Sequence, residues 1–224
     1  MAALMNRAVI FDMDGLLIDS EPLWWRAGVE ALRTVGVQLD DRDVSETIGL
    51  RTDAAVAHWF GRYPWTGKTQ LQIEGEVTTR VAELIRDSAQ PMPGARGLVD
   101  FLHQQRIPMG LCSSSPYPVI DAVLAKLQLR ECLQVVYSAE DEPFGKPHPG
   151  AYLSCAARMG ITPQRCIAFE DSLPGAQSAK AAQMKVVAVP NVESAKTGNF
   201  DFCDARLDSL VEFTPRMLAE LLPV

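Results

Sequence analysis

From Pro91-Met92-Pro93-Gly94 onward the chain alternates short apolar runs with amphipathic segments, and that rhythm admits few folds. The strand candidates are Met109 to Cys112, Val135 to Tyr137, Cys166 to Phe169, Val186 to Val189 and Ala205 to Leu207. Helical patterns centred on Leu98 to Gln105, Val119 to Leu127, Tyr152 to Met159 and Ala176 to Ala182 fill the gaps. Strands that alternate with helices in this way build a doubly wound, Rossmann-like parallel sheet in an α/β fold. Ala8-Val9-Ile10-Phe11 reads as one more buried strand of the same sheet. A different pattern separates the two regions. Ser20-Glu21-Pro22 offers a helix start, with a proline early in the first turn and an acid that suits the dipole. Helical periodicity then covers Leu23 to Val35, Asp41 to Ile48, Thr52 to Phe60 and Thr69 to Arg86 without an intervening strand. The expected organisation is a catalytic core of residues 1–18 and 90–224 with a small all-helical cap, residues 19–89, inserted after the first strand.

Open α/β sheets bind ligands outside the carboxyl ends of their strands, so the residues that follow each strand carry the chemistry. The first strand ends in Asp12-Met13-Asp14-Gly15 and the second in Ser113-Ser114-Ser115; Gly145-Lys146-Pro147 comes soon after the third, and Glu170-Asp171-Ser172 closes the fourth. Side-chain alternation puts Asp12 and Asp14 on one face if the strand stays extended, and Gly15 lets the backbone turn immediately afterwards. Acids, hydroxyls and one lysine therefore converge on a single edge. Asp12 and Asp171, with Glu170 beside them, offer the oxygen ligands that Mg²⁺ prefers. The cation and Lys146 would offset the charge of a phosphate placed beside Asp12, and the Ser113 hydroxyl adds a neutral donor.

Charge and cysteine usage narrow the partners. A net charge of −7 without a basic stripe argues against a nucleic-acid or anionic-membrane surface. Five cysteines without Cys-x-x-Cys spacing, mostly in apolar segments, fit reduced thiols of a cytoplasmic protein. The apolar run before Asp12 is too short for a signal sequence or a membrane span. His58 and His103 lie on helical patterns with no ligand spacing. The expectation is a cytoplasmic monomer whose partner is a small phosphorylated molecule, with no nucleic acid and no membrane.

The ordered set Asp12-Met13-Asp14-Gly15, Leu111-Cys112-Ser113-Ser114-Ser115, Lys146-Pro147 and Phe169-Glu170-Asp171-Ser172 resembles the haloacid dehalogenase superfamily, in the branch of Mg²⁺-dependent phosphatases and phosphomutases with a helical cap. The resemblance implies that Asp12 is the nucleophile that forms an aspartyl-phosphate and that Asp14 is the acid/base, lending its backbone carbonyl to the metal. It implies that Ser113, with Ser114 beside it, and Lys146 bind the phosphate, and that Asp171 ligates Mg²⁺ with Glu170 assisting. Ser20-Glu21-Pro22-Leu23-Trp24, Thr47-Ile48-Gly49-Leu50-Arg51 and Pro64-Trp65 are similar to the hexitol phosphatase and 2-deoxyglucose-6-phosphatase group, which implies a small sugar or polyol phosphate as substrate, with Trp24 and Arg51 facing the pocket. A β-phosphoglucomutase-like isomerase shares the core, but carries a cap histidine where this chain has Trp24 and a lysine where it has Pro116. A phosphoacceptor signalling domain also combines acids, a hydroxyl and a lysine on a doubly wound sheet, yet it accommodates the helical insertion poorly.

Overall fold

The computed structural model of the chain describes residues 7–40, 42–43, 46–47, 49–191, 194–195 and 198–223. Its main sheet is built from β1 (Ala8–Phe11), β4 (Met109–Ser113), β5 (Val135–Ser138), β6 (Cys166–Glu170), β7 (Lys185–Ala188) and β8 (Ala205–Arg206). Every pairing is parallel and the order across the sheet is β5-β4-β1-β6-β7-β8, so the chain winds outward on one side of β1 and then reverses to the other. Phe11 stands opposite both Leu111 and Phe169 in register.

The central position of β1 follows from its sequence, since all four residues are apolar and fully buried. Alternation sends Val9 and Phe11 into one core and Ala8 and Ile10 into the other. On the second face the neighbours are small, Cys112, Cys155, Ala168, Ala176 and Ala179, which lets α6 (Gly150–Met159) and α7 (Leu173–Ala181) lie close against the strands. The first face is filled by larger groups, including Phe169 stacked on Phe11 with ring centroids 5.4 Å apart. Emptying such a site, as in Phe11→Ala, costs about 3–5 kcal/mol.

Between β1 and β4 the chain forms α1 (Glu21–Arg33), α2 (Thr52–Arg62) and α3 (Gln70–Ser88). α1 closes where the sequence places a glycine, Gly36, at φ +79. α3 begins with a reciprocal capping box between Thr69 and Gln72. Its buried residues Val77, Val81 and Ile85 share one apolar cluster with Trp59 and with Val119 and Ile120 of α5 (Tyr117–Leu127), so the inserted helices rest on the sheet's own helical layer. α4 (Ala95–Gln104) and α8 (Pro215–Leu221) complete that layer.

One feature was not part of the sequence expectation, and one expectation lies partly outside the described residues. A short antiparallel ribbon joins β2 (Ile18–Asp19) to β3 (Gln90–Pro91), pairing the point where the chain leaves for the helical insertion with the point where it returns. The helix expected over Asp41 to Ile48 falls partly outside the described residues, at 41, 44, 45 and 48. No helix among the described residues is long and apolar enough to cross a membrane.

Candidate active site

Because β1 lies between β4 and β6, the residues that follow these three strands meet at the point where the strand order reverses. The ladder continues one residue past β1, with the Asp12 N–H donating to the Phe169 carbonyl at 3.0 Å. Asp12 is thereby fixed beside Glu170 and Asp171, and carboxylate oxygens of these three buried acids lie within 4.8 Å of one another. Such a set of hard oxygen donors fits a divalent cation.

Lys146 reaches this cluster from the loop before α6. Its Nζ donates to Asp12 Oδ1 and Glu170 Oε1, both at 2.6 Å, and to the Cys112 carbonyl at 3.2 Å. Glu170 is held in turn by the Tyr152 hydroxyl at 2.7 Å and the Ser172 hydroxyl at 3.2 Å. Burial is the largest influence on Asp12 and pushes its carboxyl up to about 8, against the pull of Lys146 and with repulsion from Glu170 and Asp14. Asp171 is held well above the ordinary carboxylate range by burial, then by Asp12, Glu170 and Glu21. For Lys146 burial alone would lower the value, but Asp12 and Glu170 outweigh it and keep the ammonium charged. One lysine divided between two acids leaves the cluster with excess negative charge, which a bound cation would offset.

Asp14 occupies a different environment. Gly15 turns the backbone directly after it at φ +73, and a Cβ there would lie 2.3 Å from Asp171 Oδ2, so glycine is required on both counts. The Asp14 carboxylate accepts four hydrogen bonds. Oδ1 takes the Ser20 hydroxyl at 2.6 Å and the Trp24 indole N–H at 2.9 Å, while Oδ2 takes the Ser115 hydroxyl at 2.6 Å and the Ser113 hydroxyl at 3.3 Å.

Asp12, Asp14, Lys146 and Asp171 form the floor of a pocket whose opposite wall is Trp24, Leu50, Ala55, Trp59 and Val77 from the inserted helices. Ser114 lines it, and its hydroxyl is buried without a partner among the described residues. Ser113 stands behind the wall; it is fully buried and its hydroxyl also accepts the Ser115 N–H at 3.0 Å. Trp24 faces the pocket as expected, whereas Arg51 does not. Its guanidinium turns to Asp53 and to the Ala139 and Glu142 carbonyls, because those acceptors saturate it before it can reach inward.

Three residues near the site were given no role of their own in the sequence reading, Ser115 and Glu21 being named only within longer runs. Ser115 bonds Asp14, Glu21 lines the pocket, and Asn191 donates to Glu21 Oε1 at 2.6 Å and Asp171 Oδ2 at 3.3 Å. Asn191 lies just beyond β7, so the strand-end rule applied once more would have reached it.

A family model described as a haloacid dehalogenase-like hydrolase matches residues 6–183. The chain is 40% identical over 212 residues to hexitol phosphatase B of Escherichia coli (strain K12), covering 94% of this chain and 96% of that protein. It is 34% identical over 184 residues to fructose-1-phosphate phosphatase YqaB of the same strain, covering 81% of this chain and 95% of the relative. Among solved structures, CbbY from Rhodobacter sphaeroides in complex with phosphate superposes with a TM-score of 0.87 at 23% identity, covering 92% of this chain and 96% of that one, a likeness of fold.

Proposed function

We propose, for a chain that belongs to the haloacid dehalogenase-like hydrolase family, a Mg²⁺-dependent hydrolysis of small sugar or polyol phosphates through an aspartyl-phosphate. The chain is a phosphoric monoester hydrolase, and the proposal concerns its substrate, metal and residue roles. The observation that carries it is the convergence of Asp12, Asp14, Lys146 and Asp171 on the floor of one pocket. Residues 19–89 are read as a cap over a core of residues 1–18 and 90–224.

Asp12 is the nucleophile. Lys146 holds Oδ1, which leaves Oδ2 to attack phosphorus and break its bond to the leaving oxygen. Asp12, Asp171 and the backbone carbonyl of Asp14 would hold the Mg²⁺, with Glu170 close by; both Glu170 oxygens already accept protein donors, so its larger contribution is to steady Lys146. When bound, the cation offsets repulsion between phosphate and carboxylate and polarises the phosphoryl oxygens. The Ser114 hydroxyl is a buried donor whose missing acceptor a phosphate oxygen would supply, and Ser113 holds the serine turn and Asp14 in place.

Asp14 gives a proton to the departing alkoxide and then takes one from the water that hydrolyses the acyl phosphate. Its surroundings suit both tasks. The Trp24 indole can only donate, whereas the Ser20, Ser113 and Ser115 hydroxyls can rotate to accept when the carboxyl carries the proton.

The pocket's chemistry also favours one phosphate on a neutral skeleton. Among the described residues Lys146 is the one cation that lines it, and the far wall is largely apolar. A second anionic group would meet no further cation among the described lining residues, which weighs against the isomerase reading and agrees with what the names of hexitol phosphatase B and fructose-1-phosphate phosphatase imply for those relatives. The test is phosphate release from a panel of phosphorylated metabolites with Mg²⁺ or with EDTA. Hexose 6-phosphates such as 2-deoxyglucose 6-phosphate, or hexitol phosphates, should lead; conversion of β-glucose 1-phosphate to glucose 6-phosphate without phosphate release would overturn the reading.

A further inference from the structure

Arg51 does something other than meet the substrate. Its fork grips Asp53, with Nε on Oδ1 at 3.0 Å and Nη2 on Oδ2 at 2.5 Å. Nη1 then reaches out of the insertion and donates to the carbonyls of Ala139 and Glu142 at 3.1 and 2.6 Å, on the turn that follows β5. Its methylene stem lies on Gly145. A Cβ at that position would come within 2.9 Å of Arg51 Cδ and 3.1 Å of Cγ, so the absent side chain is the notch that receives the stem. The next residue is Lys146, whose ammonium holds Asp12. Two residues earlier on the same segment, Gly49 rests on Ser172, immediately after Asp171. The stretch from Gly49 to Arg51 thus spans the pocket from one core loop to another, with Leu50 turned into the cavity between them.

We infer that Arg51 is a positioning residue, a latch by which the helical insertion clamps the 139–145 loop and so fixes Lys146 for catalysis. A guanidinium suits the task because it can fork onto a carboxylate and still bond two carbonyls, which a lysine cannot. The inference rests on the phosphatase reading only for its kinetic arm. A residue that touches substrate and one that places Lys146 make opposite predictions. Loss of a substrate contact spares a small aryl phosphate, while loss of the latch slows every substrate that needs Lys146.

The experiment compares Arg51→Ala, Arg51→Lys, Gly145→Ala and the Arg51→Ala/Gly145→Ala double variant. Turnover of 2-deoxyglucose 6-phosphate and p-nitrophenyl phosphate is measured beside amide hydrogen exchange of residues 139–146. Arg51→Ala should lower kcat on both substrates alike, by about tenfold, as expected for lost bonds to a charged donor. Gly145→Ala should do the same by expelling the stem, the double variant should be no worse than either, and Arg51→Lys should not restore the rate. Exchange over 139–146 should quicken in each. A loss confined to the sugar phosphate, or additive effects of the two substitutions with unchanged exchange, would overturn the latch. Absence of any phosphate release by the native protein would refute the phosphatase reading instead, and the exchange measurement would then decide the latch alone.

Discussion

The indole nitrogen of Trp24 donates to Oδ1 of Asp14 at 2.9 Å, tying the first turns of α1 to a residue just beyond the end of β1. This bond places an aromatic face of the insertion over the pocket and gives Asp14 a fixed donor beside three rotatable hydroxyls. Trp24→Phe keeps the face and removes the donor. It should lower kcat on 2-deoxyglucose 6-phosphate by about tenfold while changing p-nitrophenyl phosphate turnover much less, since an aryl leaving group needs no proton. Equal losses on the two substrates would separate Trp24 from the proton transfer.

Asp12→Asn should abolish turnover with the fold retained, since the amide is nearly isosteric and a poor nucleophile. Asp14→Asn should lose far more on alkyl than on aryl phosphates. Steady-state rates on both classes decide both points, with mass spectrometry to confirm that the amide introduced in Asp12→Asn has not deamidated back to the native carboxylate.

Metal dependence should reach stability as well as rate. The cluster of Asp12, Glu170 and Asp171 repels itself in the metal-free protein, so Mg²⁺ should raise the melting temperature of the native chain and do so less for Asp171→Ala. EDTA should remove activity and Ca²⁺ should inhibit, its larger and looser coordination misplacing the reacting groups. A melting temperature indifferent to Mg²⁺ would count against the cation site.

Gly175 sits in the first turn of α7 directly under Glu170, where a Cβ would lie 2.1 Å from the carboxyl group. Gly175→Ala should displace Glu170, loosen its hold on Lys146 and cost about 1–3 kcal/mol of stability by overpacking. Chemical denaturation alongside kcat tests this; a variant as active and as stable as the native chain would show that the helix simply yields.

Asp204 lies far from the pocket and governs acid stability. Burial would raise its carboxyl, but the Lys180 and Lys185 ammoniums and the Val186 N–H prevail and hold it below the ordinary range. A depressed folded value means that the contribution is complete above the unfolded value, near 4, and fades as pH falls through the lower folded one. Asp204→Asn should therefore cost about 1–2 kcal/mol at neutral pH, with the gap to the native chain closing as pH falls below the unfolded value. Denaturant titrations across that range report it.

The sheet and the acid cluster were legible because they rest on local pattern. Apolar runs located β1, β4, β5, β6 and β7 to within a residue or so, and the strand-end rule gathered Asp12, Asp14, Lys146, Glu170 and Asp171. The β2–β3 ribbon was not legible, since two-residue strands paired across the whole insertion leave no periodic trace. Arg51 misled for a related reason. Sequence supplies a cation but not the carbonyls of Ala139 and Glu142 that claim it. Ser115 was read only as part of a hydroxyl run, because which of three serines faces Asp14 depends on the turn after β4.

The ribbon that pairs Ile18 with Pro91 and Asp19 with Gln90 gathers both chain connections of the insertion into one stem. The insertion and the core must nevertheless recognise each other where α3 packs on α5, where Trp24 bonds Asp14 and where Arg51 meets the lysine loop. A graft from a relative should accordingly fail at those contacts first, even when both halves are well folded.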